Sequence, residues 1–182
     1  MSQRHSDSFL ASHGSGLGAR LRAGDPTAAA ELERTYRSAI VRFAFGYLGD
    51  AAEAEDAAQD VFIKALSANS TPEELRPWLY RIARNHCLNL LRHRQVRAEE
   101  RLPSRAAFMD SEPGHLTRLV NAENEEAMRA RVAALTPEHR EVLELRYGED
   151  LSREEIAQVL DLAPSVVKSR LYEAMKKLRA AS

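Results

Sequence analysis

Cysteine is almost absent: Cys87 is the one thiol in 182 residues. An internal disulfide is therefore excluded, and a lone thiol fits a reducing compartment such as the cytoplasm. Glycine (8) and proline (7) are sparse, which excludes collagen-like and Gly/Pro-rich low-complexity chains. Aromatics reach only 6% and the formal net charge is −1. A uniformly basic nucleic-acid coat and an acidic disordered tail are both excluded by that balance. No run approaches the roughly 18 uncharged apolar residues of a spanning helix. The start of the chain, with Arg4, His5 and Asp7 before any apolar stretch, never reaches the apolar core of a signal peptide. A cytoplasmic chain without membrane insertion is expected.

What the sequence does contain is helix-forming residues and a charge pattern that the total conceals. The composition is 44% hydrophobic and 29% charged, enough apolar material for a globular core. From Asp25 to Leu75 four basic residues face ten acidic ones, whereas from Arg76 to Arg105 eight basic residues face two acidic ones. From Glu125 to Ala163 five basic residues face ten acidic, and from Pro164 to Ser182 five face Glu173 alone. Basic footprints confined to particular helices point to nucleic acid. Their acidic neighbours suit a second partner surface or simple solvation.

Ala, Leu, Glu and Arg dominate every long segment and β-branched runs are absent, so the fold class is all-α. Asp25-Pro26 reads as an N-cap followed by proline at the first helical position, opening a helix to about Tyr47 that Gly49-Asp50 interrupts. A second helix covers roughly Ala52 to Ala68. After a polar loop a third starts near Glu73 or Pro77 and runs to about Arg97, with Trp78, Leu79, Ile82, Ala83, Leu90 and Leu91 as its apolar stripe. Trp78 in that stripe reads as core rather than as a stacking platform. Residues 1–24 match no pattern, 25–98 form a first helical domain, 99–122 a flexible linker with Pro103, Pro113 and Gly114, and 123–182 a second domain. In that domain Thr136-Pro137-Glu138 opens a helix that Gly148 is expected to cap.

The segment from Ser152 to Leu171 has the spacing of a helix-turn-helix. Ser152 to Glu155 is a capping box, Ala157 is the small residue where the two helices cross, and Val167 points back into the core. Asp161 fills the turn position that needs a left-handed backbone, which Asp tolerates. The outward face of the last helix carries Ser165, Lys168, Ser169, Tyr172, Glu173 and Lys176, with Lys168 and Arg170 suited to phosphates. On the third helix, Arg81, Arg84, Asn85, Asn89, Arg92 and Arg94 form a polar side suited to a phosphate backbone and base edges. The adjoining loop Ser67–Thr71 could hold an extruded base.

Four segments in order, Asp56 to Ala65, Trp78 to Asn85, Leu135 to Leu143 and Val167 to Leu171, strongly resemble the extracytoplasmic-function group of bacterial RNA polymerase sigma factors. The resemblance covers roughly Asp25 to Leu178. It implies a transcription initiation factor that binds core RNA polymerase and directs it to promoters. The Asp56–Leu66 helix would grip the clamp helices of the largest subunit, with Asp56, Gln59, Asp60, Phe62, Ile63 and Lys64 as the contact set. Arg81, Arg84, Asn85, Asn89, Arg92 and Arg94, with Asn69, Ser70 and Thr71 of the loop, would recognise and melt the −10 element. Ser165, Lys168, Ser169, Arg170, Tyr172, Glu173 and Lys176 would read the −35 element, and the second domain would contact the polymerase flap. Asp110 and Glu112 of the linker could mimic nucleic-acid charge. Glu173 stands where a basic or polar reader is often found, and Asp161 replaces a turn glycine. The resemblance further implies an anti-sigma partner, no cofactor, no metal and no enzymatic activity of the chain itself.

Two other readings account for less of the sequence. A stand-alone helix-turn-helix regulator leaves the Asp56–Leu66 and Trp78–Arg94 motifs unexplained. An enzyme or metalloprotein would rest on His86, Cys87 and His93, but His86 and His93 lie about 10 Å apart along a helix, and no Cys/His set has zinc spacing.

Overall fold

The structure is a computed structural model that describes residues 16–101 and 131–180. Among these residues it is helical throughout, without a strand. Residues 16–22 form α1, followed by α2 (Pro26–Leu48), α3 (Ala51–Leu66) and α4 (Leu75–Arg101). After residues 131–133, also helical, come α5 (Pro137–Leu143), α6 (Arg153–Leu160) and α7 (Pro164–Ala180). Most of the expected linker, with Asp110 and Glu112, lies outside the described residues, but 99–101 continue α4.

Local chemistry sets the boundaries of α2 and α3. The Asp25 carboxylate accepts from the Thr27 N–H at 2.9 Å, and Arg20 beside it holds that carboxyl down at about 2. Gly49 ends α2 in the left-handed region (φ 71°), returning its N–H to Phe45 at 2.9 Å; a side chain at that φ would clash with its own backbone. Asp50 then caps α3 through the Glu53 N–H. The apolar faces of α2, α3 and α4 close over Leu32, Tyr36, Ile40, Phe43, Val61, Phe62, Leu75, Leu79 and Ala83. Phe43 meets Tyr80 edge-on at 5.1 Å.

The N-terminal segment departs from expectation. Residues 1–24 match no sequence pattern, yet α1 sends Leu17 into the first domain's core at 2% exposure. Gly18 lets α1 approach the Pro72 carbonyl, which a Cβ would meet at 3.3 Å. Arg22 donates to the Thr71 and Pro72 carbonyl oxygens, each at 3.1 Å. The segment before α2 is thus a brace for the loop between α3 and α4.

The helix-turn-helix forms at the expected positions. Ser152 and Glu155 make the reciprocal capping box at 3.1 and 2.8 Å, and Asp161 turns the chain at φ 57°, ψ 49°. Ala157 is buried at the helix crossing and Val167 is fully buried. Ser152→Ala, which leaves the Glu155 N–H without its acceptor, is expected to cost about 1 kcal/mol, read as a lowered midpoint in urea unfolding.

Gly148 behaves differently from the expected helix cap. After Leu143 the helix widens into a π turn over Glu144–Gly148, closed by the Glu149 N–H on the Glu144 carbonyl at 2.9 Å. Gly148 is not at positive φ; a Cβ there would instead strike the Glu144 carboxylate. Thr136 occupies the N-cap of α5, but its hydroxyl meets His139 Nδ1 at 3.0 Å rather than a backbone N–H. The two domains pack on one another: α4 lies across α6, and one apolar cluster runs from Leu75 and Tyr80 to Leu145, Leu151, Ile156 and Val159.

Candidate nucleic-acid interface

Three surfaces carry the expected site residues. On α3, Asp56, Gln59, Asp60, Ile63 and Lys64 are all exposed. They recur every three to four residues, so they share one helical face. Ile63 is 54% and Leu66 48% exposed, an apolar ridge flanked by carboxylates. Phe62 does not belong to this surface: at 4% exposure it points into the core, as its position across the helix from Asp60 and Lys64, each two residues away, requires. Lys64 meets His86 Nδ1, and Asp60 lies 3.2 Å from His86 Nε2 without hydrogen-bond geometry. Burial and then the Lys64 charge lower the His86 pKa, so the imidazole stays neutral there. This cluster ties the α3 face to α4.

The basic helix α4 divides into separate strips. Arg81, Asn85, Asn89 and Arg92 are exposed and lie at spacings of three or four; Arg92 also donates to Asn89 Oδ1 at 2.7 Å. These four form a continuous solvent-facing strip of cations and amides. Arg94 leaves the strip, pairing with Glu53 and reaching the Leu48 carbonyl at 3.4 Å. Arg84 leaves it as well, sitting on a second strip with Arg76 and Tyr80 that faces the second domain. There Arg84 binds Glu141 through two hydrogen bonds, of 2.6 and 3.2 Å. Asn69 and Ser70 are exposed and Thr71 half-buried in the braced loop, next to the start of α4. Trp78 is half-buried and packs against the core.

On α7, Ser165, Lys168, Ser169 and Lys176 are exposed and Tyr172 is 67% exposed. Arg170 and Glu173 are half-buried at the edge of this face. Val167 and Ala174 occupy the opposite face, fully buried. The seven expected residues therefore surround one outward face, with an aromatic ring at its centre that has no core role.

Cys87 is fully buried and burial pushes its thiol up to about 12. A reactive thiol needs thiolate character and access, and Cys87 has neither. Among the described residues, no three His, Cys, Asp or Glu side chains gather as a metal-binding group, and no helix is long and apolar enough to cross a membrane.

No local sequence pattern signals the pairing between domains. Glu149 is 3% exposed and accepts from Arg42 Nη2 at 2.8 Å and from Tyr80 Oη at 2.6 Å, while its backbone carbonyl accepts from Arg76 at 2.6 Å. Glu141 accepts from Tyr47 Oη at 2.6 Å beside its pair with Arg84. Burial, reinforced by these carboxylates, raises both tyrosine pKa values well above their ordinary range, so both phenols remain donors.

Comparison with known proteins agrees with this layout. Residues 32–97 match the family model Sigma-70 region 2, and 125–178 match Sigma-70, region 4. The chain is 30% identical over 158 residues to RNA polymerase sigma factor YlaC of Bacillus subtilis, covering 82% of this chain and 88% of the relative. It is 26% identical over 171 residues to ECF RNA polymerase sigma factor SigW of the same organism, covering 88% and 91%. Among solved structures it resembles CnrH in its complex with the cytosolic domain of CnrY, with a TM-score of 0.62 at 26% identity over 90% of this chain and 93% of that one. It shares the fold of RpoE from Bartonella quintana, solved in complex with the anti-sigma factor NepR, with a TM-score of 0.59 at 22% identity over 84% and 94%.

Proposed function

Because the chain belongs to the extracytoplasmic-function group of the sigma-70 family, we propose that its three exposed faces divide the steps of promoter-directed initiation among themselves. The protein is a transcription initiation factor that binds core RNA polymerase and directs it to promoters with −35 and −10 elements. The observation that carries this reading is the pair of matches, Sigma-70 region 2 followed by Sigma-70, region 4, falling in order on the two helical domains.

The α3 face, with Asp56, Gln59, Asp60, Ile63 and Lys64, docks on the clamp helices of the largest polymerase subunit. Its carboxylates suit a basic partner, and the Ile63–Leu66 ridge supplies the apolar area that a stable interface needs. The open strip on α4 holds the displaced −10 strand: Arg81 and Arg92 contact phosphates while Asn85 and Asn89 present amides to base edges. The loop Asn69–Thr71, fixed by Arg22, receives an unstacked base. The α7 face enters the major groove at −35, with Lys168 and Arg170 on phosphates and Ser165, Ser169, Tyr172, Glu173 and Lys176 near base edges. The second domain also meets the polymerase flap.

The chain is a non-catalytic subunit, works in the cytoplasm and needs no cofactor; bond formation belongs to the polymerase. An anti-sigma factor is the expected negative regulator, and the groove between α4 and α6, walled by Tyr36, Trp78, Gln158 and Leu162, offers it a seat. A stand-alone helix-turn-helix regulator leaves the region 2 match without a role.

The test is co-elution of the full chain with core polymerase, followed by promoter binding. The complex is expected to bind a −35/−10 duplex that the chain alone binds weakly. Tight binding by the chain alone, with no gain from polymerase, contradicts the reading. Tyr172→Ala is expected to weaken discrimination at one −35 position by about 1–3 kcal/mol and to leave polymerase affinity unchanged, read by binding to a set of −35 variants.

A further inference from the structure

We propose that α1 is a specificity element of promoter recognition: with Arg22 as its positioning residue, it sets the shape of the loop at 67–74 and so decides how selectively that loop accepts an extruded −10 base. The proposal rests on the initiation-factor reading and gives a task to a segment in which the sequence shows no motif.

The brace is anchored on one side and grips on the other. Arg20 and Arg22 are two residues apart, which places them about 200° apart around the helix. Arg20 turns to the start of α2, where its guanidinium meets Asp25 at 2.7 Å, Thr27 Oγ1 at 2.8 Å and the Glu31 carboxylate. Leu17 is buried in the first domain's core and Leu21 packs against it. Gly24, in the left-handed region at φ 73°, ends the helix. Its N–H reaches the Leu21 carbonyl and the Asp25 N–H the Arg20 carbonyl, each at 3.0 Å, a closed helix end of the Schellman type. These ties fix α1 without help from the loop. Its other side meets the loop backbone. Arg22 Nη1 donates to both the Thr71 and the Pro72 carbonyl oxygens, at 3.1 Å each. Gly18 is buried and brings the α1 backbone against the same Pro72 carbonyl.

The loop has few ties of its own. The Ser67 N–H returns to the Ile63 carbonyl at 3.0 Å and the Ala68 N–H to that of Ala65 at 3.4 Å. Asn69 and Ser70 follow, both exposed. Among the described residues, the hydrogen bonds to the Thr71 and Pro72 carbonyl oxygens come from Arg22. Arg22 thus grips backbone and leaves the side chains of Asn69 and Ser70 to the DNA. Extruding a base costs unstacking energy, and a loop that must also be ordered at that moment adds a further cost. A loop held in one shape accepts the base that fits and rejects the others, whereas a loose loop re-forms around several. Discrimination, and not affinity alone, therefore depends on the brace.

The experiment measures open-complex formation by core polymerase carrying the full chain, on promoters in which each −10 base is changed in turn to the other three. Arg22→Ala is expected to lower discrimination at least fivefold at one −10 position, with discrimination at the other −10 and −35 positions and affinity for core polymerase unchanged. Gly18→Val, which drives α1 from the Pro72 carbonyl without removing a charge, is expected to lose discrimination at the same position and keep the helical circular dichroism. Arg22→Lys keeps a multiple donor on a long stem and is expected to recover at least half of the loss on a logarithmic scale. A uniform loss across all positions means a structural role only and overturns the proposal, as does intact discrimination in Arg22→Ala or Gly18→Val. Salt separates positioning from direct contact. Arg22→Ala is expected to leave the slope of log affinity against log salt unchanged; a slope reduced by about 0.7, the share of one single-stranded phosphate, makes Arg22 a phosphate ligand and overturns its positioning role. A last arm needs no polymerase. With a spin label attached at Ser70→Cys, and buried Cys87 unlabelled, Arg22→Ala and Gly18→Val are each expected to at least double the mobile fraction of the spectrum, and equal spectra overturn the brace. A chain whose loop is held as described yet never redirects initiation would contradict the assigned function and still support the brace.

Discussion

Replacing Arg81 and Arg92 together with alanine is expected to lower open-complex formation at least tenfold and to flatten its dependence on salt. Both guanidinium groups lie on the one α4 strip that faces solvent, alongside Asn85 and Asn89. A single-stranded phosphate contact contributes about 0.7 to the slope of log affinity against log salt, so losing two should reduce that slope by about 1.4. The tenfold loss corresponds to about 1.4 kcal/mol, modest for two charge-assisted contacts. Two neighbouring arginines act as controls with different signatures. Arg94→Ala, which unlinks α4 from Glu53, should lower stability and leave the salt slope unchanged. Arg84→Ala breaks the bond to Glu141 on the strip that faces the second domain, and it too should leave the salt slope unchanged. Open-complex footprinting across a salt series separates the three; an unchanged slope for the Arg81/Arg92 pair removes those residues from the interface.

Ile63→Asp is expected to weaken binding to core polymerase by about a hundredfold with the fold intact. Ile63 is 54% exposed and belongs to none of the buried clusters, so its replacement leaves no buried cavity. Burying an Ile side chain contributes about 1.5–3 kcal/mol, and a carboxylate in its place adds a desolvation cost at the docked face. Together these approach the roughly 2.7 kcal/mol that a hundredfold loss represents. Phe62→Ala is the informative contrast. Phe62 lies next in sequence but is buried, so its truncation should cost about 3–5 kcal/mol of stability and reach the polymerase only through unfolding. Titration against core polymerase, with urea unfolding of each variant, distinguishes docking from packing; full affinity of a folded Ile63→Asp chain contradicts the assigned face.

The contrast between Ile63 and Phe62 also shows where sequence reasoning succeeds. Short-range chemistry was legible: Asp25-Pro26, Gly49-Asp50, the Ser152–Glu155 box and Asp161 each act within a few residues, and each stands where the spacing placed it. The helix-turn-helix and its outward α7 face followed from the same local rules. The family motif groups Phe62 with a polar face because motifs are contiguous in sequence, whereas a helix turns 100° per residue. α1 is not legible in the sequence because a seven-residue helix with Leu17 and Leu21 as its apolar anchors carries too little periodicity to register. Gly148 reads as a cap in the sequence because its tertiary circumstance, a π turn over Glu144, leaves no mark on composition. The pairing of Glu149 with Arg42 spans 107 residues, and no local pattern encodes it. Charge alone groups Arg84 and Arg94 with Arg81; the partners that withdraw them, Glu141 and Glu53, are visible only in three dimensions.

Run-off transcription on a genomic fragment library, with core polymerase in the presence and absence of the full chain and with start sites mapped, tests promoter-directed initiation most directly. New start sites that share one −35 and −10 pair, appearing only when the chain is added, are the expected result. Identical start sites with and without the chain would contradict it.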